Sequence, residues 1–574
     1  MPLRLFLIDA IGPFFRGYGK RRINWSKIPF THLATTGETR RTQWARIRHD
    51  LRRFAAEVSA MGYNAVTLDD LAHLAPHPLH EPEIAARIEV FREEFTQLFA
   101  ILHEFDLKIY LTSDIIPLTP AIDAAIGDDR EALELYFLDL VDRLLTDFPE
   151  LSGLILRIGE SDGVDVKDPI HTRLHLTSPQ QTHAMLRRLL PVFEEKERDL
   201  ILRTWTVGAY PIGDLIWHRQ TLARALEGID SPRFIVSMKH GESDFFRFLP
   251  LNRAFFRISQ PTIIELQARR EYEGAGECPA PIGPDCERFA RELEESGNLI
   301  GMSVWCQTGG WHRFRRLPFL EEAGDDSWVR INVQLAIRIF RDRASVESAL
   351  SSMFPPDKAD AVAELLRHAE TIYRDLIYIE EFARQKLFFR RVRIPPILHI
   401  YWDCLFINHA ARKLMRHFVT DPERALRSGE AAYSLFPRMI ELARTAGLPA
   451  TDIEHWRDFC NLVRLARRYY FLPYDEALLD RIRSAKSGYK RAWPREVRSR
   501  YRIKLSFQPF KLKRRTLGWL SSLLLRRQRG YRWIDQVFTL NLLGMMFRLI
   551  KTSNPKVLPK FLRKSAMGVE TLFR

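Results

Sequence analysis

Eight short apolar runs of β character alternate with helical stretches over the first three hundred residues: 5–8, 65–68, 109–112, 154–158, 201–206, 234–238, 263–267 and 300–305. Strands that alternate with helices imply parallel β/α units, because a parallel neighbour needs a crossover to return the chain. Eight such units over roughly 300 residues predict a closed (β/α)8 barrel. That architecture builds its site on the loops that follow the C-terminal strand ends. Here those ends carry Asp9, Asp69, Asp70, Asp114, Glu160, Trp205, Lys239, Asp244, Glu271 and Trp305. Carboxylates, cations and aromatic rings are therefore predicted to crowd one mouth.

The intervening helices are legible from apolar spacing. Ile47, Leu51, Phe54 and Val58 mark a helix over 44–60, and Ile84, Ile88, Phe91, Phe95 and Phe99 mark another over 81–104. Further helices are predicted over 131–146, 181–197, 285–295 and 328–341. The first β/α connection is long and contains Phe14, Phe15, Arg16, Arg21, Arg22 and Trp25, a composition that suits a wall of the substrate site. His73, His77 and His80 lie in a proline-broken loop without regular ligand spacing, so no metal site is expected.

A chain of 574 residues exceeds one hydrophobic core. We expect a barrel domain over 1–345, a helical domain over 346–485 beginning near Pro355 and Pro356, and a basic tail over 486–574. The helical domain is read from periodic stretches at 361–373, 398–419 and 452–470, with no strand-like alternation. At 46% hydrophobic and 11% aromatic residues the composition is that of a folded chain. Five cysteines without metal-ligand spacing fit free thiols in a reducing compartment. Asp9 interrupts the N-terminal apolar run, which reads as a first strand and not a signal peptide. A cytoplasmic location follows, with peripheral attachment to the inner membrane face as an extension.

Net charge is +15, unevenly spread. Residues 486–574 hold 23 Lys/Arg against 3 Asp/Glu, leaving the rest of the chain mildly acidic. Basic clusters at Lys511, Lys513, Arg514 and Arg515, and again at Arg526, Arg527 and Arg529, adjoin the apolar stretches 519–525 and 533–550. This pattern fits an anionic membrane surface or a solvated cationic face. No nucleic-acid-binding motif accompanies the charge, so nucleic acid is not the expected partner.

Three acids carry the chemistry. Glu160 follows the fourth strand, Asp244 lies five residues past Lys239 at the sixth, and Glu271 follows the seventh. Strands four and seven are expected on roughly opposite sides of the mouth. Acids facing each other there suit hydrolysis of a glycosidic bond, with one protonating the leaving oxygen and another activating water. Carboxylates and water suffice for this, so no cofactor is implied.

The surrounding segments resemble the glycoside hydrolase family of xylan-debranching α-glucuronidases over about residues 40 to 340. Lys239-His-Gly-Glu-Ser-Asp-Phe245 is similar to that family's Lys-Asn-Gly-Pro-Ile-Asp-Phe. Glu265-Leu-Gln-Ala-Arg-Arg-Glu-Tyr272 is similar to its Glu-Phe-Gln-Ile-Thr-Gln-Glu-Tyr. The resemblance implies an inverting glycosidase in which Asp244 and Glu271 form the water-activating pair and Arg203 and Lys239 hold the carboxylate of an α-linked uronic acid. Its Ser-Glu-Gly acid motif aligns with Ser161-Asp162-Gly163, which makes Asp162 the alternative acid. Glu160 stands closer to the strand end and is preferred on barrel geometry.

Around these, Asp69, Asp70, Asp114 and Arg157 are candidates for contacts to substrate hydroxyls. Trp205, Trp305 and Trp311 are candidates to stack on sugar rings, with core packing as the competing role. A carbohydrate substrate is the expected partner. The rival reading is a non-catalytic carbohydrate-binding protein of envelope-polysaccharide metabolism, attached to the membrane by the basic tail.

Overall fold

The structure, a computed structural model, describes residues 3–11, 14–15, 28–158, 168–172, 174–206, 211–216, 218–307, 316–320, 325–389, 392–394, 400–401, 404–509 and 513–526. Eight parallel strands close into a barrel: β1 (Leu5–Asp9), β2 (Ala65–Asp69), β3 (Lys108–Asp114), β4 (Leu151–Arg157), β5 (Asp199–Arg203), β6 (Phe234–Lys239), β7 (Thr262–Gln267) and β8 (Leu299–Trp305). Each neighbours the next in sequence, and β1 pairs with β8 through Leu5–Gly301 and Ile8–Val304. All eight predicted strands are present in the predicted order. In this ring β4 and β7 stand three places apart, one short of the diametric separation of four, so they lie roughly across the mouth from each other.

The barrel closes tightly where glycine allows it. A side chain at Gly301 would run into the carbonyl oxygen of Leu5, at a point where the β7–β8 register shifts. Helices Gly37–Met61, Pro82–His103, Arg130–Asp147, Pro179–Glu195, Gly283–Leu293 and Ser327–Asp342 surround the strands. Their ends follow local chemistry. Ser178 and Gln181 form a capping box, Asp129 accepts from the amides of Glu131 and Ala132, and Gly62 ends the first helix at φ +102°.

Phe14 and Phe15 do not wall a substrate site. Phe14 packs 5.0 Å from the Phe54 ring and Phe15 stacks 6.0 Å from Phe95, both fully buried. Burial of these large apolar rings under the first two helices outweighs any gain from exposing them at the mouth. Arg16, Arg21, Arg22 and Trp25 lie outside the described residues.

The C-terminal region is helical, with helices Pro356–Ile372, Phe436–Ala446, Ala450–Phe471 and Glu476–Ala492 among its elements. It also contains strands, which the apolar spacing did not predict. Cys404–Asn408 pairs with Arg502–Ser506, and Lys386–Phe389 pairs with Val392–Ile394. Within the predicted helix over 398–419, the described residues form strands Ile400–Tyr401 and Cys404–Asn408 and then helix His409–Phe418. A short continuous apolar run, here Cys404-Leu-Phe-Ile-Asn408, has no periodicity to separate strand from helix. Helix Glu476–Ala492 runs through residue 486, and the Arg502–Ser506 strand is part of the same folded body. Among the described residues, no helix is long and apolar enough to cross a membrane.

Candidate active site

Side chains alternate along each strand, so every second residue enters the barrel. The lower interior is apolar: Leu5, Leu7, Ala65, Tyr110, Ile155, Ile201, Ile235, Ile263 and Ile300 form one buried cluster. Two or four residues further along, the same inward positions become Asp9, Asp69, Thr112, Asp114, Arg157, Arg203, Ser237, Lys239, Glu265 and Gln267. Register places Ser303 and Trp305 beside Glu265 and Gln267. The interior thus changes from oil-like to ionic toward the C-terminal end. Withdrawing an ion from water costs several kcal/mol unless it finds a partner, and each of these charges has one.

Lys239 and Asp244 form the first ion pair. The Lys239 ammonium also lies 3.7 Å from the Trp205 ring centroid and 4.3 Å from that of Phe245. Asp244 accepts from the Tyr272 hydroxyl at 2.7 Å and from the Phe245 amide at 2.9 Å. Burial pushes the Asp244 carboxyl up, but the charge of Lys239 and these hydrogen bonds outweigh it and leave the group below its ordinary value. Asp244 is therefore ionised at neutral pH. Tyr272 follows Glu271 directly, and the Glu271 amide donates to Gln267 Oε1 at 2.9 Å, so β7 itself sets where Glu271 begins. Arg270, just before it, is in the left-handed region at φ +53°, the kind of local strain found where a loop is held for function.

Glu265 is the residue that reading for strand-end acids missed. It is fully buried on β7, with Arg203 Nε 3.0 Å from each of its oxygens, Ser237 Oγ at 2.7 Å and Trp305 Nε1 at 3.2 Å. The Arg203 guanidinium lies 4.8 Å from the Trp305 ring. A charged residue in the alternating apolar run Thr262-Ile-Ile-Glu-Leu-Gln267 was the available signal. Asp114 and Arg157 make a third buried pair at 2.9 Å, with Arg157 fully enclosed.

The remaining predicted acids hold loops. Asp69 accepts from the Ile28 amide at 2.7 Å and from the Thr112 hydroxyl. Asp70 caps the turn Leu71–His73 and holds His73 Nδ1 at 2.7 Å, while Asp168 lies 3.4 Å from His73 Nε2. Burial pulls His73 down, yet Asp70 and Asp168 together raise it to about 9. Asp9 receives the Gln307 amide at 3.0 Å and ties β1 to the loop after β8. Cys306 is buried beside it, and burial keeps its thiol protonated. Glu160, Asp162 and Trp311 lie outside the described residues. Among the described residues, no three His, Cys, Asp or Glu side chains converge as metal ligands.

A buried network fastens the β7 loop from behind. Glu273 pairs with Arg247 at 2.8 Å and Arg270 at 2.7 Å, and accepts from Tyr378 at 3.0 Å. Arg247 also meets Glu370 of the helix Pro356–Ile372, and the Tyr373 hydroxyl donates to the Glu273 carbonyl at 3.0 Å. The helical region therefore braces the loop that carries Glu271 and Tyr272.

No family model and no curated protein matches the chain. Solved structures do. A GH138 enzyme targeting pectin rhamnogalacturonan II aligns with 85% of this chain and 76% of its own at a TM-score of 0.50 and 10% identity. A mutant O-GlcNAc hydrolase of Thermobaculum terrenum aligns with 89% of this chain and 95% of its own, at a TM-score of 0.37 and 12% identity. At such identities the likeness to the GH138 enzyme is one of fold, and the chain is a (β/α)8 barrel with a helical C-terminal region.

Proposed function

We propose that the barrel mouth is the active site of a glycoside hydrolase that acts by inversion on an α-linked uronic acid or a related sugar. The observation that carries this reading is Asp244, an ionised carboxylate held by Lys239 and by Tyr272, the residue that follows Glu271, above a barrel interior lined with paired charges. Structural roles alone do not call for so many buried ions at one end of a barrel. The fold neighbour that targets pectin rhamnogalacturonan II is a carbohydrate-active precedent for the architecture.

In this mechanism Asp244 orients a water and Glu271 takes its proton as the oxygen attacks the anomeric carbon. The glycosidic bond breaks, and its oxygen leaves with a proton from Glu160, or from Asp162 in the alternative assignment. Arg203 and Lys239 hold the sugar's carboxylate, backed by Glu265 and Trp205 respectively. Asp69, Asp114 and Arg157 shape the walls from within the barrel, Asp70 holds the adjoining His73 turn, and Trp305 packs against the ring.

A panel of aryl glycosides that includes α-glucuronides tests the reading, with proton NMR of the first-formed anomer. Release of the β-anomer from an α-glucuronide is the expected result. Release of the α-anomer would overturn inversion, and no release from any member would overturn the hydrolase. The acid is then identified with an activated dinitrophenyl leaving group, which restores activity to whichever of Glu160→Gln and Asp162→Asn removed the proton donor.

A further inference from the structure

The surface arginines of this protein are mostly matched with carboxylates: Arg438 with Glu364 and Glu441, Arg384 with Glu380, Arg444 with Glu454. One corner departs from that pattern. Helix Arg514–Leu524 lies on helix His409–Phe418, with Gly518 against the His417 ring and the Ser522 hydroxyl 3.1 Å from His417 Nε2. A side chain at position 518 would enter that ring, so the helix presents this face inward and no other. Its opposite face is left outside. Trp519 is 61% exposed and Leu520 41%, beside exposed Lys513, Arg514 and Arg515.

Two arginines of the supporting helix are held by backbone carbonyls. Arg416 donates to the carbonyls of Tyr470 and Phe471 at 2.9 and 2.8 Å, and Arg412 to that of Leu472 at 2.7 Å. Among the described residues, none of Arg412, Arg416, Arg514 and Arg515 has a carboxylate within ion-pair distance. Burial, and after it the charges of Arg412 and Arg514, hold Arg416 below its usual value. Leu472 and Tyr474, 40% and 54% exposed, lie in the turn that these arginines secure, and Asp475 in that turn is engaged as a helix cap. The chain beyond residue 526 carries ten Lys/Arg against two Asp/Glu, the same sign of charge.

We propose that this face, with Trp519 and Leu520 flanked by residues 513–515 and by Arg416, docks on an anionic phospholipid surface. Exposed tryptophan and leucine between basic heads match the boundary of a bilayer, where rings and aliphatic chains enter the acyl region and guanidinium groups meet phosphate. A nucleic acid duplex would satisfy the cations but keeps its base faces stacked on one another, leaving Trp519 and Leu520 without an apolar partner. The proposal is independent of the reaction proposed for the barrel.

Co-sedimentation of the full chain with phosphatidylcholine vesicles, with and without phosphatidylglycerol, tests it. Recovery with the anionic vesicles only, falling with added salt, is the expected result. Two double variants, W519S with L520S and R514E with R515E, are each expected to weaken that recovery at least tenfold while circular dichroism is unchanged. These positions are exposed, and the variants are expected to fold. Equal recovery with neutral vesicles would overturn the proposal, as would parental recovery of both variants. Binding to duplex DNA without binding to either vesicle would assign the surface to nucleic acid and overturn it as well.

Discussion

Replacing Lys239 with Met removes the charge that holds Asp244 ionised and leaves burial to dominate. The acid limb of the pH–rate profile is then expected to move upward, because Asp244 takes up its proton at higher pH. A limb that stays in place would show that Asp244 does not govern it. His73 gives a second prediction, on stability. Its imidazolium, between Asp70 and Asp168, titrates at about 9 in the folded chain. A group raised in this way stabilises the fold fully below its unfolded value near 6.5 and ceases to do so as pH rises through about 9. The shift corresponds to about 3 kcal/mol. His73→Gln is expected to lower the denaturation midpoint at pH 6 and to converge with the parent above pH 9. Residues of this kind were only partly legible in the sequence. Asp244 and Glu271 stand out after strand ends, whereas Glu265 is hidden inside a strand and is found only by asking which residues of β7 alternate inward.

At the scale of elements, the braced β7 loop makes the sharpest prediction. Glu273→Gln leaves Arg270 buried without its counter-charge and Arg247 with Glu370 alone, and breaking a buried pair in this way costs about 3–5 kcal/mol. Urea denaturation is expected to show that loss. Because Glu271 and Tyr272 ride on the same loop, turnover should fall as well. A neutral effect on both would mean that the loop is held by Arg269 and its carbonyl partners instead. The eight strands were legible because each is an apolar run bounded by turn chemistry, and the barrel helices because their apolar residues recur at helical spacing. The strand Cys404–Asn408 was not, since a run buried along its length carries no period. Phe14 and Phe15 were misplaced for a related reason: ring residues in a long connection read alike whether they face a ligand or the core.

For the whole molecule, barrel and helical region are coupled through buried polar contacts. Asp452 of the helix Ala450–Phe471 is fully buried and meets Arg316, Arg498 and the Trp328 indole at 2.6, 2.6 and 2.8 Å. Glu273, Arg247 and Glu370 make a second junction. A fragment of residues 1–345 would leave Arg247 without Glu370 and Trp328 without Asp452. It is expected to be insoluble or to melt well below the full chain, which should unfold in one calorimetric transition. Two separated transitions would show the regions to be independent.

In the proposed hydrolysis Asp244 and Glu271 activate water at the barrel mouth. Turnover of an aryl glycoside cleaved by the parent, compared among the parent, Asp244→Asn and Glu271→Gln at matched circular dichroism, tests this most directly. Both variants are expected to lose about 10²–10⁴-fold in kcat with little change in fold. Parental turnover by either folded variant would contradict that role.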